Sequence, residues 1–332
     1  MQNHQNNGLD RVFSIKPGNI AKKLAEKYGY RPWIVERYLK MLPYDDVIEL
    51  LKTNERPLPK AIRCNNFLID CNALKERLYN KGVELEKIPF TKYGYLVKRG
   101  GEKIGYLHEY LLGYYYIQGP ASMIPVDVLD PRKGEDILDA AAAPGGKSTQ
   151  ILQYTYDKAY LTAIDKNRNR VKALRSHLSR MGFTNYIIIR MNALHLPSTL
   201  LFDKILLDAP CSGEGIIRKD PRRKLSREIS DLLYLSRLQI SLLNRLTKNL
   251  KKDGIIVYAT CTIGVEENEY VITKVLGDDP CLEPIETDVP GVNGITEYSN
   301  IQFDERVKKC KRIYPHTLDT EGFFICKMRK RC

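Results

Sequence analysis

No run of 18 apolar residues occurs in this 332-residue chain, which excludes a membrane-spanning helix. No C-x-x-C pair occurs among its eight cysteines, at positions 64, 71, 211, 261, 281, 310, 326 and 332. The histidines, at 4, 108, 177, 195 and 316, do not cluster with them, so no metal site is expected. The first 30 residues lack the apolar core of a signal peptide, so the chain reads as soluble and cytoplasmic. A disulfide framework is not expected in such a setting, which leaves buried structural thiols and catalytic ones. Internal repeats and low-complexity tracts are also lacking.

Acidic residues are in short supply. Lys and Arg number 53 against 40 for Asp and Glu, a net charge of +13. Residues 1–118 alone hold 20 basic and 13 acidic side chains. Such an excess suits either solubility alone or a polyanionic partner, whose release of counterions drives association. The remaining composition, 43% hydrophobic and 28% charged, is ordinary for a globular protein.

Helical periodicity marks residues 19–28 and 33–41, interrupted by Gly29 and Pro32, and a third helix is expected from Asp45 to Lys52. Pro57-Leu58-Pro59 reads as a linker. Strands are expected over Ala61–Leu68, Val83–Pro89 and Tyr93–Lys98, with a helix from Cys71 to Lys81, which makes an α+β module. Beyond residue 119 strands alternate with helices, the pattern of a parallel sheet with crossovers. Its strands are Asp136–Asp139, Tyr160–Asp165, Tyr186–Met191, Lys204–Asp208 and Gly254–Ala259. Helices over Lys147–Thr155, Asn167–Met181 and Ser230–Leu250 intervene, and Ile313–Pro315 with Gly322–Met328 closes as a hairpin. The fold class is α/β: a Rossmann-like sheet with a reversed last strand, preceded by a helical region and an RRM-like α+β module. The expected divisions are 1–60, 61–118 and 119–332.

Three motifs carry chemistry. The first is Ile137-Leu138-Asp139 followed by small residues, Ala140, Ala141, Ala142 and Ala143, and then Pro144-Gly145-Gly146-Lys147-Ser148. A buried strand ends, small side chains let a ligand approach the backbone, and a helix N-terminus offers unpaired amides. A phosphate-binding P-loop would need Gly where Ala141 stands, and the dinucleotide fingerprint G-x-G-x-x-G is absent. The segment resembles the first motif of S-adenosylmethionine-dependent methyltransferases. Asp165, ending the second strand, suits the ribose hydroxyls of an adenosyl group, and Asn192 follows the third strand where an adenine contact is expected. The second motif is Asp208-Ala209-Pro210-Cys211-Ser212-Gly213, after an apolar strand. The third is Thr260-Cys261-Thr262, at the end of the next strand and followed by Glu266-Glu267-Asn268-Glu269.

These paired Pro-Cys and Thr-Cys motifs, behind Ala-Ala-Pro-Gly-Gly-Lys, resemble the Nop/Sun family of RNA cytosine-5 methyltransferases. The resemblance extends to Ala61-Ile62-Arg63-Cys64-Asn65, Gln118 to Met123, Arg312 to His316 and Gly322-Phe323-Phe324. It departs at Asn192, where the family usually has Asp; Asn can still hydrogen-bond. The resemblance implies that Cys261 attacks cytosine carbon 6 and Cys211 assists product release. It implies that Asp208 holds the base at its ring nitrogen and amino edge. DNA cytosine-5 enzymes attack with the Pro-Cys thiol instead, so Cys261 points to RNA.

Carbon 5 of cytosine is a poor nucleophile until a thiolate adds at carbon 6 and makes the ring an enamine. A free thiol is only about 3% ionised at pH 7, so Lys147, local basic side chains and helix amides are candidate stabilisers. Unstacking the base costs a few kcal/mol. The basic stretch Arg218 to Lys224 is a candidate phosphate clamp or else a solvated loop. Tyr114-Tyr115-Tyr116 could stack on bases, but core packing is expected for at least two of them. The partner expected is RNA, tRNA first and rRNA second, with no membrane, no metal and a monomeric state. A catalytically silent RNA-binding factor, or an enzyme acting on DNA or a small molecule, are the alternatives.

Overall fold

The computed structural model describes residues 8–332; His4 and the start of the 1–60 region lie outside the described residues. The chain forms two compact units that interleave along the sequence. One comprises the residues through Leu58, Ala209–Asn244 and Thr260–Cys326; the other comprises Pro59–Asp208, Arg245–Ala259 and Lys327–Cys332. The expected linker Pro57-Leu58-Pro59 coincides with the first crossing between them.

In the first unit, helices Asn19–Tyr28, Pro32–Met41 and Tyr44–Asn54 fall where periodicity placed them. The first stops at Gly29, whose φ of 71° suits glycine. These helices bury Leu24, Trp33, Tyr38, Leu50 and Leu51 in one apolar cluster with Ile217, Leu232, Ile263 and Tyr314. The N-terminal helices therefore share a core with the segments that follow both cysteine motifs. Strands Lys311–Ile313 and Phe323–Lys330 form the closing antiparallel pair, with Lys311 opposite Ile325 and Ile313 opposite Phe323.

The second unit begins with a four-stranded antiparallel sheet. Its order is Glu84–Lys87, Gly94–Arg99, Ala61–Cys64, Tyr115–Ile117. The first strand stops at Cys64 rather than Leu68. The Asn65 side chain donates to the Gly113 and Met181 carbonyls, which turns the chain out of the sheet. Tyr115 and Tyr116 pack in the core as expected, with the Tyr115 hydroxyl donating to the Ile104 carbonyl at 2.7 Å.

Five parallel strands follow, in spatial order Leu250–Thr260, Phe202–Asp208, Asp136–Asp139, Tyr160–Ile164, Tyr186–Ile189. Chain order thus reverses between Asp136–Asp139 and Phe202–Asp208, the switch point where open α/β sheets bind ligands. Helix Pro120–Leu129 was not foreseen; Pro125 and its nearly all-apolar sequence hide the helical period. Among the described residues no helix is long and apolar enough to cross a membrane.

The cysteines require a correction. Cys64 is disulfide-bonded to Cys71 and Cys310 to Cys326, and Cys281 and Cys332 are disulfide-bonded as well. Compartment arguments cannot see strand register: the pairing of Lys311 with Ile325 sets Cys310 directly opposite Cys326. Likewise, the turn after Cys64 brings the chain back at the start of helix Cys71–Tyr79.

Candidate active site

The strand Asp136–Asp139 delivers the chain to the turn Ala140–Gly145, and helix Gly146–Tyr154 begins directly after it. Gly145 has φ of 110°, and a Cβ there would lie 3.0 Å from Leu174 Cδ1, so the turn demands glycine. Asp139 is buried; its Oδ2 accepts from the Ser148 hydroxyl at 2.6 Å. Its Oδ1 is buried with no hydrogen-bond partner among the described residues. Burial pushes the Asp139 carboxyl up to about 6, against the opposing hydrogen bond from Ser148. An arriving cationic group would relieve that burial.

Asp165 lies at the end of the neighbouring strand, almost fully buried. It accepts from the Asn167 amide at 2.8 Å and the Ala143 amide at 3.3 Å, tying the second strand's end to the turn. Asn192 follows the third strand and accepts from the Leu194 amide at 3.1 Å. Lys147 donates to Asp208 Oδ2 at 2.7 Å and to the Ser122 hydroxyl at 3.3 Å. The Asp208 side chain remains one-third exposed, 33%. Asp139, Lys147 and Asp208 therefore gather at the switch point.

Both thiols of the paired motifs belong to the other unit. Cys211 and Cys261 are the two cysteines outside disulfides, and their sulfurs stand 3.3 Å apart. The Gly215 amide donates to the Cys261 carbonyl at 2.9 Å, and the Gly322 amide donates to the Gly215 carbonyl at 2.8 Å. A Cβ on Gly215 would meet the Gly322 carbonyl at 2.1 Å, so a larger residue would pry these segments apart. Asp208 pairs with Ala259 in the parallel ladder, and Cys211 and Cys261 follow three and two residues later.

The sequence reading missed the side chains that hold these loops. Arg37, fully buried on helix Pro32–Met41, donates to Glu214 beyond Cys211 and to Glu266 beyond Cys261, the latter at 2.9 Å. Burial alone would lower the Arg37 pKa; the two carboxylates outweigh it and raise it. Glu267, also buried, accepts from the Ser212 amide at 2.8 Å and from Gln239 Nε2 at 3.0 Å. Burial pushes Glu267 up to about 7, with these hydrogen bonds opposing. Asn268 takes the Thr260 hydroxyl at 2.6 Å and donates to the Thr262 carbonyl at 3.1 Å. Arg63, in the second unit, donates to the Gly146 carbonyl at 2.6 Å, to Thr149 at 2.7 Å and to Gln153 at 2.8 Å. The available signal was the run Glu266 to Glu269 sitting directly behind an apolar strand, where ordinary surface charge is not expected.

The basic stretch Arg218 to Lys224 is mostly spoken for by protein. Arg218 is buried, donating to the Arg56 and Pro57 carbonyls and pairing with Asp319. Arg223 holds the Ser212 carbonyl, and Lys224 holds the Tyr28 carbonyl and Glu55. Lys219 and Arg222 remain exposed, the latter paired with Asp220 at 2.8 Å.

Residues 126–329 match the family described as 16S rRNA methyltransferase RsmB/F, and residues 32–120 match the N-terminal domain of 16S rRNA methyltransferase RsmF. The chain belongs to the Nop/Sun family. Its similarity to the tRNA (cytosine(49)-C(5))-methyltransferase of Pyrococcus abyssi is 38% identity over 90% of this chain and 95% of that one. The human 28S rRNA (cytosine(4447)-C(5))-methyltransferase is 36% identical over 94% of this chain. This chain spans 39% of the human protein's length and 40% of its mouse counterpart's. A solved methyltransferase homologue from Pyrococcus horikoshii superposes with a TM-score of 0.85 at 35% identity, covering 94% of this chain and 99% of that one. Nop/Sun proteins are S-adenosylmethionine-dependent methyltransferases of the Rossmann-like class, which agrees with the switch-point site. The donor set fits that cofactor: an unpartnered buried Asp139 oxygen for an ammonium, Asp165 for a ribose, and a small-residue turn for close approach.

Proposed function

We propose that this protein methylates carbon 5 of a cytosine in RNA through a covalent adduct on Cys261. The observation that carries the reading is the thiol pair. Six of eight cysteines are locked in disulfides, while Cys211 and Cys261 face each other at 3.3 Å. S-adenosylmethionine, when bound, supplies the electrophilic methyl group. Asp165, Asn192 and the turn Ala141-Ala142-Ala143-Pro144-Gly145-Gly146 would hold it, with Asp139 oriented to its ammonium.

The protein's own residues do the rest. Cys261 gives up its proton to a base and its sulfur adds to carbon 6, while ring nitrogen 3 takes up a proton and the ring becomes an enamine with electron density at carbon 5. The amino group of the base and the N–H that ring nitrogen 3 gains on attack both donate to the Asp208 carboxylate, which Lys147 beside it balances. Once carbon 5 carries the methyl group, its proton leaves to a base. The pair from that C–H bond reforms the 5,6 double bond as the carbon–sulfur bond breaks back onto Cys261. Cys211, in van der Waals contact with that sulfur, acts in this release.

Transfer RNA is the substrate favoured here. The archaeal tRNA enzyme is matched over 95% of its length, whereas the human rRNA enzyme is matched over 39%. Ribosomal RNA is the second reading. The test is denaturing electrophoresis of each thiol variant with RNA and cofactor. Cys211→Ala should accumulate an RNA–protein adduct, and Cys261→Ala and the double variant should form none. Exchanged phenotypes would reverse the two roles. No adduct from either variant, with cofactor bound normally, would favour a silent RNA-binding factor.

A further inference from the structure

From Lys166 to Phe202 the chain has no acidic residue but carries seven Lys or Arg. Two of these are held internally: Arg170 by the Ala143 carbonyl and Asp165, and Arg180 by the Tyr110 carbonyl. Four others, Arg168, Lys172, Arg175 and Arg190, are exposed and have no ion-pair or hydrogen-bond partner among the described residues. They line one open groove of about 530 Å³ together with the hydroxyls of Ser176 and Ser179.

The geometry is specific. Arg168, Lys172 and Arg175 occupy positions i, i+4 and i+7 of helix Arg168–Arg180, so they share one face over about 10 Å. Arg190 directly follows the edge strand Tyr186–Ile189 and closes the other side of the groove. Like charges at these spacings repel, and no carboxylate lines the groove to relieve them. Arg168 lies three residues after Asp165, and Arg190 two residues before Asn192. The groove therefore starts at the carboxyl edge of the sheet, where the cofactor residues sit, and runs down the flank of the unit.

We propose that this groove docks the phosphodiester backbone of the RNA substrate. Guanidinium and ammonium groups flanked by hydroxyl donors match phosphate oxygens, and a polyanion relieves the crowding of cations. The assignment rests on the reading of the chain as an RNA methyltransferase. It moves the phosphate contacts away from Arg218 to Lys224, whose side chains are largely committed to the protein.

The test measures binding of an in vitro tRNA transcript by anisotropy across a salt series. The protein carries R168E, K172E and R175E, and cofactor affinity serves as the check on folding. The expected result is affinity weaker by about ten-fold or more, with a log–log salt slope shallower by about 2. If the charge-reversed protein fails to bind cofactor, the neutral set R168Q, K172Q and R175Q is used, with the same slope change expected. Unchanged affinity and slope in a variant that binds cofactor would overturn the proposal. Methylation by the unmodified protein is scored separately. Methylation with an unchanged slope removes the groove and keeps the enzyme reading. A lost slope without methylation keeps the groove and removes that reading.

Discussion

Among the described residues Arg37, Arg63 and Arg312 are buried completely, and the first two solve the same problem by opposite means. Arg37 serves the unit that carries the thiols, and Arg63 the unit that carries the small-residue turn Ala140–Gly145. Each lies near an aromatic ring, Arg37 5.1 Å from Trp33 and Arg63 5.5 Å from Tyr116. Arg37 is neutralised by two carboxylates, Glu214 and Glu266. Arg63 is held by neutral acceptors, the Gly146 carbonyl, Thr149 and the amides of Gln118, Gln150 and Gln153. The electrostatic consequence has opposite sign. The carboxylates raise the Arg37 pKa, whereas desolvation lowers that of Arg63 to about 10. A charged hub clamps two loops strongly, but leaves buried charges behind when it is cut. A neutral hub is weaker to remove and depends on many bonds at once.

Arg37→Met should produce the largest effect, a loss of about 3–5 kcal/mol, because Glu214 and Glu266 are left buried without their cation. Denaturant unfolding should show the deficit shrinking as pH falls from 7.5 to 5. Glu266, whose carboxyl pKa is already raised by burial, favours the folded state at low pH and loses that contribution as pH rises. A deficit independent of pH would show that the charges are not what Arg37 balances. Placed on the Cys211→Ala background, the surviving folded variant should accumulate the covalent RNA adduct poorly while binding cofactor normally.

Glu267→Gln sharpens the comparison with a carboxyl group held by amide donors. The unmodified protein binds a proton at Glu267 up to about pH 7, while a free glutamate releases it near 4.5. Its stability contribution is therefore complete below pH 4.5 and is lost as pH rises through 7. Against the unmodified protein, the Gln variant should gain about 3 kcal/mol between pH 4.5 and 8, measured by denaturant midpoints. Parallel curves for the two proteins would place Glu267 in water.

On the cofactor side, Asp165→Ala should weaken S-adenosylmethionine binding by about 1.5–3 kcal/mol in calorimetry, and Asn192→Ala by less. A larger loss at Asn192 would invert the ranking of the two contacts. Arg63→Met should cost the least in stability, about 1–3 kcal/mol, since its acceptors are neutral and can find one another or water. Its functional signature should mirror that of Arg37→Met: weaker cofactor binding, with adduct formation on the Cys211→Ala background retained at saturating cofactor. If both arginine variants damaged both readouts equally, the division of labour between the hubs would fail.

Much of the molecule is legible in its sequence. The three N-terminal helices have their apolar residues at helical spacing, and Gly29 and Pro32 mark the break between the first two. The strand Asp136–Asp139 was read with correct ends because its apolar run is bounded by a charged start and a small-residue turn. Pro-Cys and Thr-Cys each sit at a strand end, so their proximity followed from the α/β pattern. Other features left no local trace. Arg37 and Arg63 look like any surface cations in a basic chain. Arg222, Arg223 and Lys224 look like a phosphate clamp, yet Arg223 and Lys224 close onto carbonyls and Glu55.

By itself, the sequence determined the three N-terminal helices, the five parallel strands, the small-residue turn and the two thiols at strand ends, because periodicity, glycine placement and strand termini are local properties. Only the tertiary structure decided which cysteines pair, which arginines are buried and which cations stay uncommitted. Those outcomes depend on strand register and on contacts between residues far apart in sequence: Cys310 with Cys326 through one antiparallel ladder, and Arg37 with Glu266 across 229 positions. Spacing along a chain carries no information about a partner that only folding brings near.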